Sequence, residues 1–181
     1  MNTALLLIDI QNDYFAGGKA ELVEPLLAAE NAHRILEYFR REKLPVIHVQ
    51  HINTRQGATF FLPDSSGVEI HAKVKPLADE VIVTKNFPNS FLATNLDEVL
   101  QKKNVSKLVV CGMMTHMCID TTVRACQERN LAVTLLSDAC ATKDLSFANE
   151  VIPAKTVHNA FMAALDGMFA QVIKTQDYLA K

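Results

Sequence analysis

The stretch VVCGMMTHMCIDTTVR, Val109 to Arg124, decides how the rest of the chain is read. An apolar, β-branched run (Leu108, Val109, Val110) stops at Gly112, a short polar elbow follows, and Cys118 then opens a segment with helical spacing through Ile119, Val123 and Cys126. The expected local structure is a strand, a turn and a helix whose first turn carries a thiol. The first N–H groups of a helix lack partners within it and carry partial positive charge, so a cysteine there is biased toward thiolate and faces donors for an oxyanion. A lone cysteine is also among the most buried residue types, and core packing is its ordinary use.

Outside this stretch the chain alternates. Thr3 to Ile10 reads as a continuous aliphatic strand of the sort that parallel sheets bury on both faces. Pro25 to Lys43 is an amphipathic helix by the spacing of Leu26, Leu27, His33, Ile35, Leu36 and Phe39. Pro45 to Val49 is a second strand. An irregular region punctuated by Gly57, Pro63 and Gly67 spans His51 to Pro76, a length that in compact domains marks function or mobility. Val81 to Val83 is a third strand leading directly to Lys85, and Asn95 to Lys102 a short helix. Leu108 to Cys111, Cys118 to Arg129 and Leu131 to Leu136 continue as strand, helix and strand. Ser146 to Leu165 reads as the last long helix, and Val172 to Lys174 as an edge strand.

This alternation implies an α/β fold: three αβα layers, Rossmann-like, with a mostly parallel sheet of five to six strands and helices on both faces. In such sheets ligands bind beyond the carboxyl ends of the strands. Asp9 near the end of the first strand, Lys85 after the third and Cys118 just past the fourth therefore converge on one edge. Singly, Asp9 is also a natural turn cap and Lys85 a natural solvated strand end. Together they make a triad without histidine. The thiol supplies a nucleophile, the ammonium lowers its pKa, and the carboxylate accepts the thiol proton and later returns it to a leaving amine.

The 181 residues suit one domain, 1–181, and the hydrophobic half of the composition suffices for a sizeable core. A formal net charge of −2, with no run of like charges, argues against nucleic acid or an anionic membrane surface as partner and favours a small molecule. Cys111, Cys118, Cys126 and Cys140 never form C-x-x-C, so neither a zinc knuckle nor a thioredoxin-type pair is indicated. Asp9 interrupts the N-terminal apolar run, and no basic leader or cleavage site accompanies it, so a reducing cytoplasm is the expected location.

LLLIDIQNDYFAGG around Asp9, TKNFPNSFLATNLDEVL around Lys85 and VVCGMMTHMCIDTTVRAC around Cys118 resemble the motifs of the isochorismatase-like cysteine hydrolases, which include nicotinamidases, N-carbamoylsarcosine amidohydrolase and streptothricin hydrolase. LSDACAT and His158 in KTVHNAFMAAL are similar too, so the resemblance runs through essentially the whole chain. It implies Cys118 as nucleophile, Asp9 as general base and then acid, and Lys85 as supporting cation. It also implies a cis peptide between Met113 and Met114, with the Met114 and Cys118 N–H groups as an oxyanion hole. The activity implied is cleavage of a C–N bond in a small amide or ureide through a thioester.

Around the substrate we expect Tyr14 and Phe15 from the first loop, Phe91 from the lysine segment, and Met113, His116 and Met117 from the elbow. The nicotinamidase branch of the family holds a divalent cation with an aspartate and histidines in and after the second strand. His48, His51 and His71 lie in that region, but Gln50 and His51 stand where the aspartate belongs, so no metal and no cofactor are expected. His48 and His51, three apart in a strand, point to opposite faces. The resemblance implies a homo-oligomer, a dimer or tetramer. The alternatives are a vinyl-ether hydrolase of the same fold, whose members typically lack the cysteine, and a non-catalytic small-molecule-binding or thiol-sensing protein. A dinucleotide-binding module is disfavoured because DIQNDYF stands where its glycine-rich turn belongs.

Overall fold

A computed structural model describes residues 2–180. Eight strands and five α-helices follow in order: β1 (Asn2–Ile8), α1 (Pro25–Arg41), β2 (Val46–His51), β3 (Val81–Lys85), α2 (Leu96–Lys102), β4 (Val105–Met113), α3 (Asp120–Gln127), β5 (Ala132–Ala141), β6 (Leu145–Phe147), β7 (Glu150–Ile152), α4 (Ala154–Leu165), β8 (Gln171–Ile173) and α5 (Thr175–Leu179). Six strands form one sheet in the order β3-β2-β1-β4-β5-β8, and every neighbouring pair is parallel. The order reverses between β1 and β4, the switch point at which open α/β sheets place their ligands.

The aliphatic run in β1 has a simple cause. Leu5 and Leu7 enter one core with Ala28, Ala32, Ile35, Leu36 and Phe39 of α1, whereas Ala4, Leu6 and Ile8 enter a second core with Leu96, Leu100, Val123 and Met162. A strand covered by helices on both faces has no polar side, so its two-residue period is hidden in the sequence. α1 and α5 cover the first face, and α2, α3 and α4 the second. No helix among the described residues is long and apolar enough to cross a membrane.

Gly112 of β4 pairs with Ile8 of β1. Its φ is +134°, and a Cβ there would run into the Ile8 carbonyl oxygen. Only glycine fits, because it has no side chain to clash and reaches such a backbone conformation without strain.

Two expected helices differ from what forms. Ser146 to Leu165 is not one helix: β6 and β7 pair as an antiparallel hairpin, and α4 begins only at Ala154. Ala148 and Asn149 take left-handed φ values of 50° and 65°, the paired geometry of a tight hairpin turn. The start of α4 is capped from outside the helix, by an Asp144 carboxylate oxygen accepting the Ala154 N–H at 2.7 Å. The second difference is at the elbow. Thr115–Ile119 is a π turn, in which the Ile119 N–H donates to the Met114 carbonyl, and α3 starts after it. Cys118 therefore sits in a π turn at a functional edge, where such turns commonly occur, rather than opening the α-helix.

The long region after β2 is tied down. The Asp13 carboxylate accepts the Phe61 N–H at 2.6 Å and the Lys19 N–H at 3.1 Å. Gln11 Nε2 donates to the His51 carbonyl at 2.8 Å and the Val68 carbonyl at 2.7 Å, and the His71 N–H donates to the Ile10 carbonyl. These bonds satisfy buried backbone groups that no sheet or helix serves.

Candidate active site

The carboxyl ends of four adjacent strands carry the site. β3 ends on Lys85, which pairs in register with His51 at the end of β2; Asp9 follows β1, and the elbow follows β4. Asp9 has a left-handed φ of +51°, an uncommon conformation that aspartate tolerates and that gathers at functional sites.

Lys85 Nζ lies 2.8 Å from Asp9 Oδ2, close enough for full ion pairing though not aligned as a hydrogen bond, and both side chains are sealed from solvent. The ammonium also donates to the Pro88 carbonyl at 3.0 Å. Both Asp9 carboxylate oxygens are buried with no hydrogen-bond partner among the described residues. A ligand atom from each of Asp9, His51 and Cys118 lies within 4.8 Å of the other two. The three residues expected from the sequence to meet at this edge are therefore neighbours, and His51 joins them.

Electrostatics sets their resting protonation. Burial raises the Asp9 pKa, but the Lys85 ammonium, with His51 and the Cys118 thiol nearby, outweighs burial and holds the carboxyl below its ordinary value. Burial lowers that of Lys85, while Asp9 and Cys118 more than restore it, so its pKa is raised. Burial and then the Asp9 charge push the Cys118 thiol well above its ordinary value, with Lys85 opposing. The thiolate bias expected from a helix N-terminus is thus overturned. At rest the sulfur keeps its proton, because the nearest carboxylate is ionised and water is excluded.

The other expected site residues divide. Tyr14 is buried with its ring 4.6 Å from that of Phe61, and burial, then Cys118 and Asp9, raise its pKa well above the ordinary phenol value. Phe15 stacks on His71 with ring centroids 3.8 Å apart. His116 Nδ1 lies 2.6 Å from Thr142 Oγ1, Met117 is exposed, and Met113 is fully buried. Phe91 packs in the second core under the Arg129 guanidinium, 4.1 Å from its ring centre. The Met113–Met114 peptide is cis. A groove of about 350 Å³ near Leu27, Thr142 and His158 is not lined by Asp9, Lys85 or Cys118.

The three histidines do not gather. His48 Nε2 lies 3.0 Å from Glu80, and His71 Nδ1 accepts the Lys73 N–H, whereas His51 alone faces Asp9. An oxygen, a nitrogen and a sulfur at Asp9, His51 and Cys118 are donor types that a divalent cation accepts. They fit one poorly here, because the Lys85 charge already occupies the carboxylate and would repel a second cation.

Sequence reasoning missed Gln11, Asp13 and Phe61 as the framework of the site, and His51 as a member of it. The signals for His51 were its place at the family's metal-binding position and the alternation in HVQH, which separates it from His48.

A doubly wound parallel sheet with a buried carboxylate, ammonium and thiol at its switch point defines an α/β protein of the hydrolase type. The family model described as the isochorismatase domain matches residues 3–177, and the chain belongs to the isochorismatase family of hydrolases. It is 51% identical to YddQ of Bacillus subtilis, an uncharacterized isochorismatase family protein, over 99% of both chains. It superposes on a crystal structure described as an isochorismatase hydrolase from Oleispira antarctica with a TM-score of 0.96 and 45% identity, covering 99% of this chain and 97% of that one. A cysteine hydrolase from Pseudomonas syringae is similar at 26% identity and a TM-score of 0.92, covering 99% of this chain and 91% of that one.

Proposed function

We propose that the chain is a cysteine hydrolase that cleaves the C–N bond of a small amide or ureide through a thioester on Cys118. The observation that carries this reading is the buried Lys85–Asp9 pair at 2.8 Å with the Cys118 sulfur beside it. Asp9 Oδ1, which no donor serves among the described residues, accepts the thiol proton as the sulfur attacks the carbonyl carbon. Because the thiol is raised and the carboxyl lowered, the proton moves together with bond formation and not before it.

The C–N bond breaks as Asp9 passes that proton to the departing nitrogen, and ammonia or an amine leaves. Water then cleaves the thioester. Lys85 keeps Asp9 ionised before the first transfer and after the second. The Met114 and Cys118 N–H groups flank the reacting carbonyl, and each oxyanion donor of this kind is worth about 3 kcal/mol in the transition state. A vinyl-ether hydrolase has no use for a thiol at this position.

Ammonia release from a panel of small amides and ureides, by wild type and Cys118→Ala in parallel, tests the reading. Turnover that disappears in the variant is the expected result. Undiminished turnover by Cys118→Ala overturns it.

A further inference from the structure

The geometry points to His51 as a further catalytic residue, the base that activates the hydrolytic water in the second half of the reaction. This rests on the thioester reading above. Its ring Nδ1 lies 3.8 Å from Asp9 Oδ2, too long for a hydrogen bond, and among the described residues no protein hydrogen bond occupies the ring. The backbone of His51 is held rigidly instead: its N–H donates to Gln11 Oε1 and its carbonyl accepts from Gln11 Nε2, both at 2.8 Å. The ring is thus held beside Asp9 without a hydrogen bond to it.

Access separates the two possible bases. The Asp9 side chain is 0% exposed, whereas that of His51 is 14% exposed. Asp9 Oδ2 is also engaged by the Lys85 ammonium at 2.8 Å. His51 is the more exposed of the two bases and lies within 4.8 Å of the sulfur, so water reaching an acyl-Cys118 has its ring within reach. Imidazole is the side chain most often used as a positioned general base.

The step balances. The water oxygen forms a bond to the thioester carbon as its proton moves to the His51 ring nitrogen. The C–S bond then breaks, and the sulfur, within 4.8 Å of the ring, takes the proton back from the imidazolium. The carboxylic or carbamic acid product departs with the thiol and the neutral imidazole regenerated.

4-Nitrophenyl acetate is a suitable probe because it acylates a cysteine nucleophile without protonation of its leaving group. For His51→Gln, and for His51→Asn as a second variant, we expect a burst of about one nitrophenolate per chain at close to the wild-type rate, followed by steady turnover reduced about a hundredfold. An acetyl thioester should accumulate on Cys118 by intact mass and peptide mapping, and hydroxylamine, which attacks a thioester unaided, should restore turnover. A burst slowed in step with turnover, or an unchanged steady rate, overturns the role of His51 and leaves the Cys118 thioester standing. Absence of acetyl-Cys118 in wild type and variants alike removes the thioester reading and this inference with it.

Discussion

Lys85 Nζ and Asp9 Oδ2 lie 2.8 Å apart with both side chains fully buried, one at the end of β3 and the other just beyond β1. Each charge makes the burial of the other tolerable. Lys85→Met removes the partner and strands a carboxylate in the core, which is expected to cost roughly 3–5 kcal/mol. The double variant Asp9→Asn/Lys85→Met removes both charges and should be more stable than Lys85→Met alone. Urea denaturation of the singles and the double checks this; strictly additive losses would show that the two charges do not support one another.

The same pair controls the thiol. Asp9→Asn deletes the negative charge that helps to raise the Cys118 pKa and leaves the Lys85 charge that lowers it. The variant should therefore have a more acidic thiol than wild type, while the proposed C–N hydrolysis falls about a hundredfold or more for want of its base. Thiolate absorbance in the ultraviolet followed against pH, with Cys118→Ala subtracted, measures the first. A thiol less acidic in Asp9→Asn than in wild type would contradict it.

Glu80 predicts acid sensitivity away from the site. Burial raises its pKa, but Arg40, the Leu77 N–H and His48 bring it from 4.5 down to about 2. A lowered carboxyl pKa contributes stability in full above the unfolded value and loses it as pH falls through the folded value. The contribution, on the order of 3 kcal/mol, should disappear between pH 4.5 and about 2. His48, pushed down by burial against the pull of Glu80, begins its own loss higher, as pH drops below the ordinary histidine value. Stability measured over the lower window should fall less in Glu80→Gln than in wild type.

Gly112→Ala should be far more damaging than its size suggests. The new methyl group meets the Ile8 carbonyl in the middle of the sheet, at a φ of +134° that alanine does not accept. At Gly57, where φ is +79°, nothing lies within 4 Å of an added Cβ, so alanine there should cost only backbone strain of about 1 kcal/mol. Thermal unfolding of the two variants separates close approach from backbone conformation, and equal losses would count against the packing account.

The strands, α1 and the edge on which Asp9, Lys85 and Cys118 meet were legible in advance, with ends misplaced by a few residues. Aliphatic runs, helical periodicity and Gly112 are local signals, and the switch-point rule converts them into a place for the site. The β6–β7 hairpin was not legible, because SFANEVIP has the composition of a helical start and its turn is made by Ala148 and Asn149, which carry no glycine. The cap of α4 was hidden for a related reason: Asp144 acts across the hairpin, beyond the reach of a short window.

Chain order and residue type by themselves determined the alternating architecture and the three residues brought to one edge, since these follow from periodicity, turn chemistry and the handedness of parallel crossovers. Only the tertiary structure decided that Cys118 rests as a thiol and that His51 joins Asp9 and Cys118 while His48 and His71 turn elsewhere. Protonation and proximity depend on burial and on charges summed through space over residues distant in the chain, and those sums exist only once the sheet has assembled.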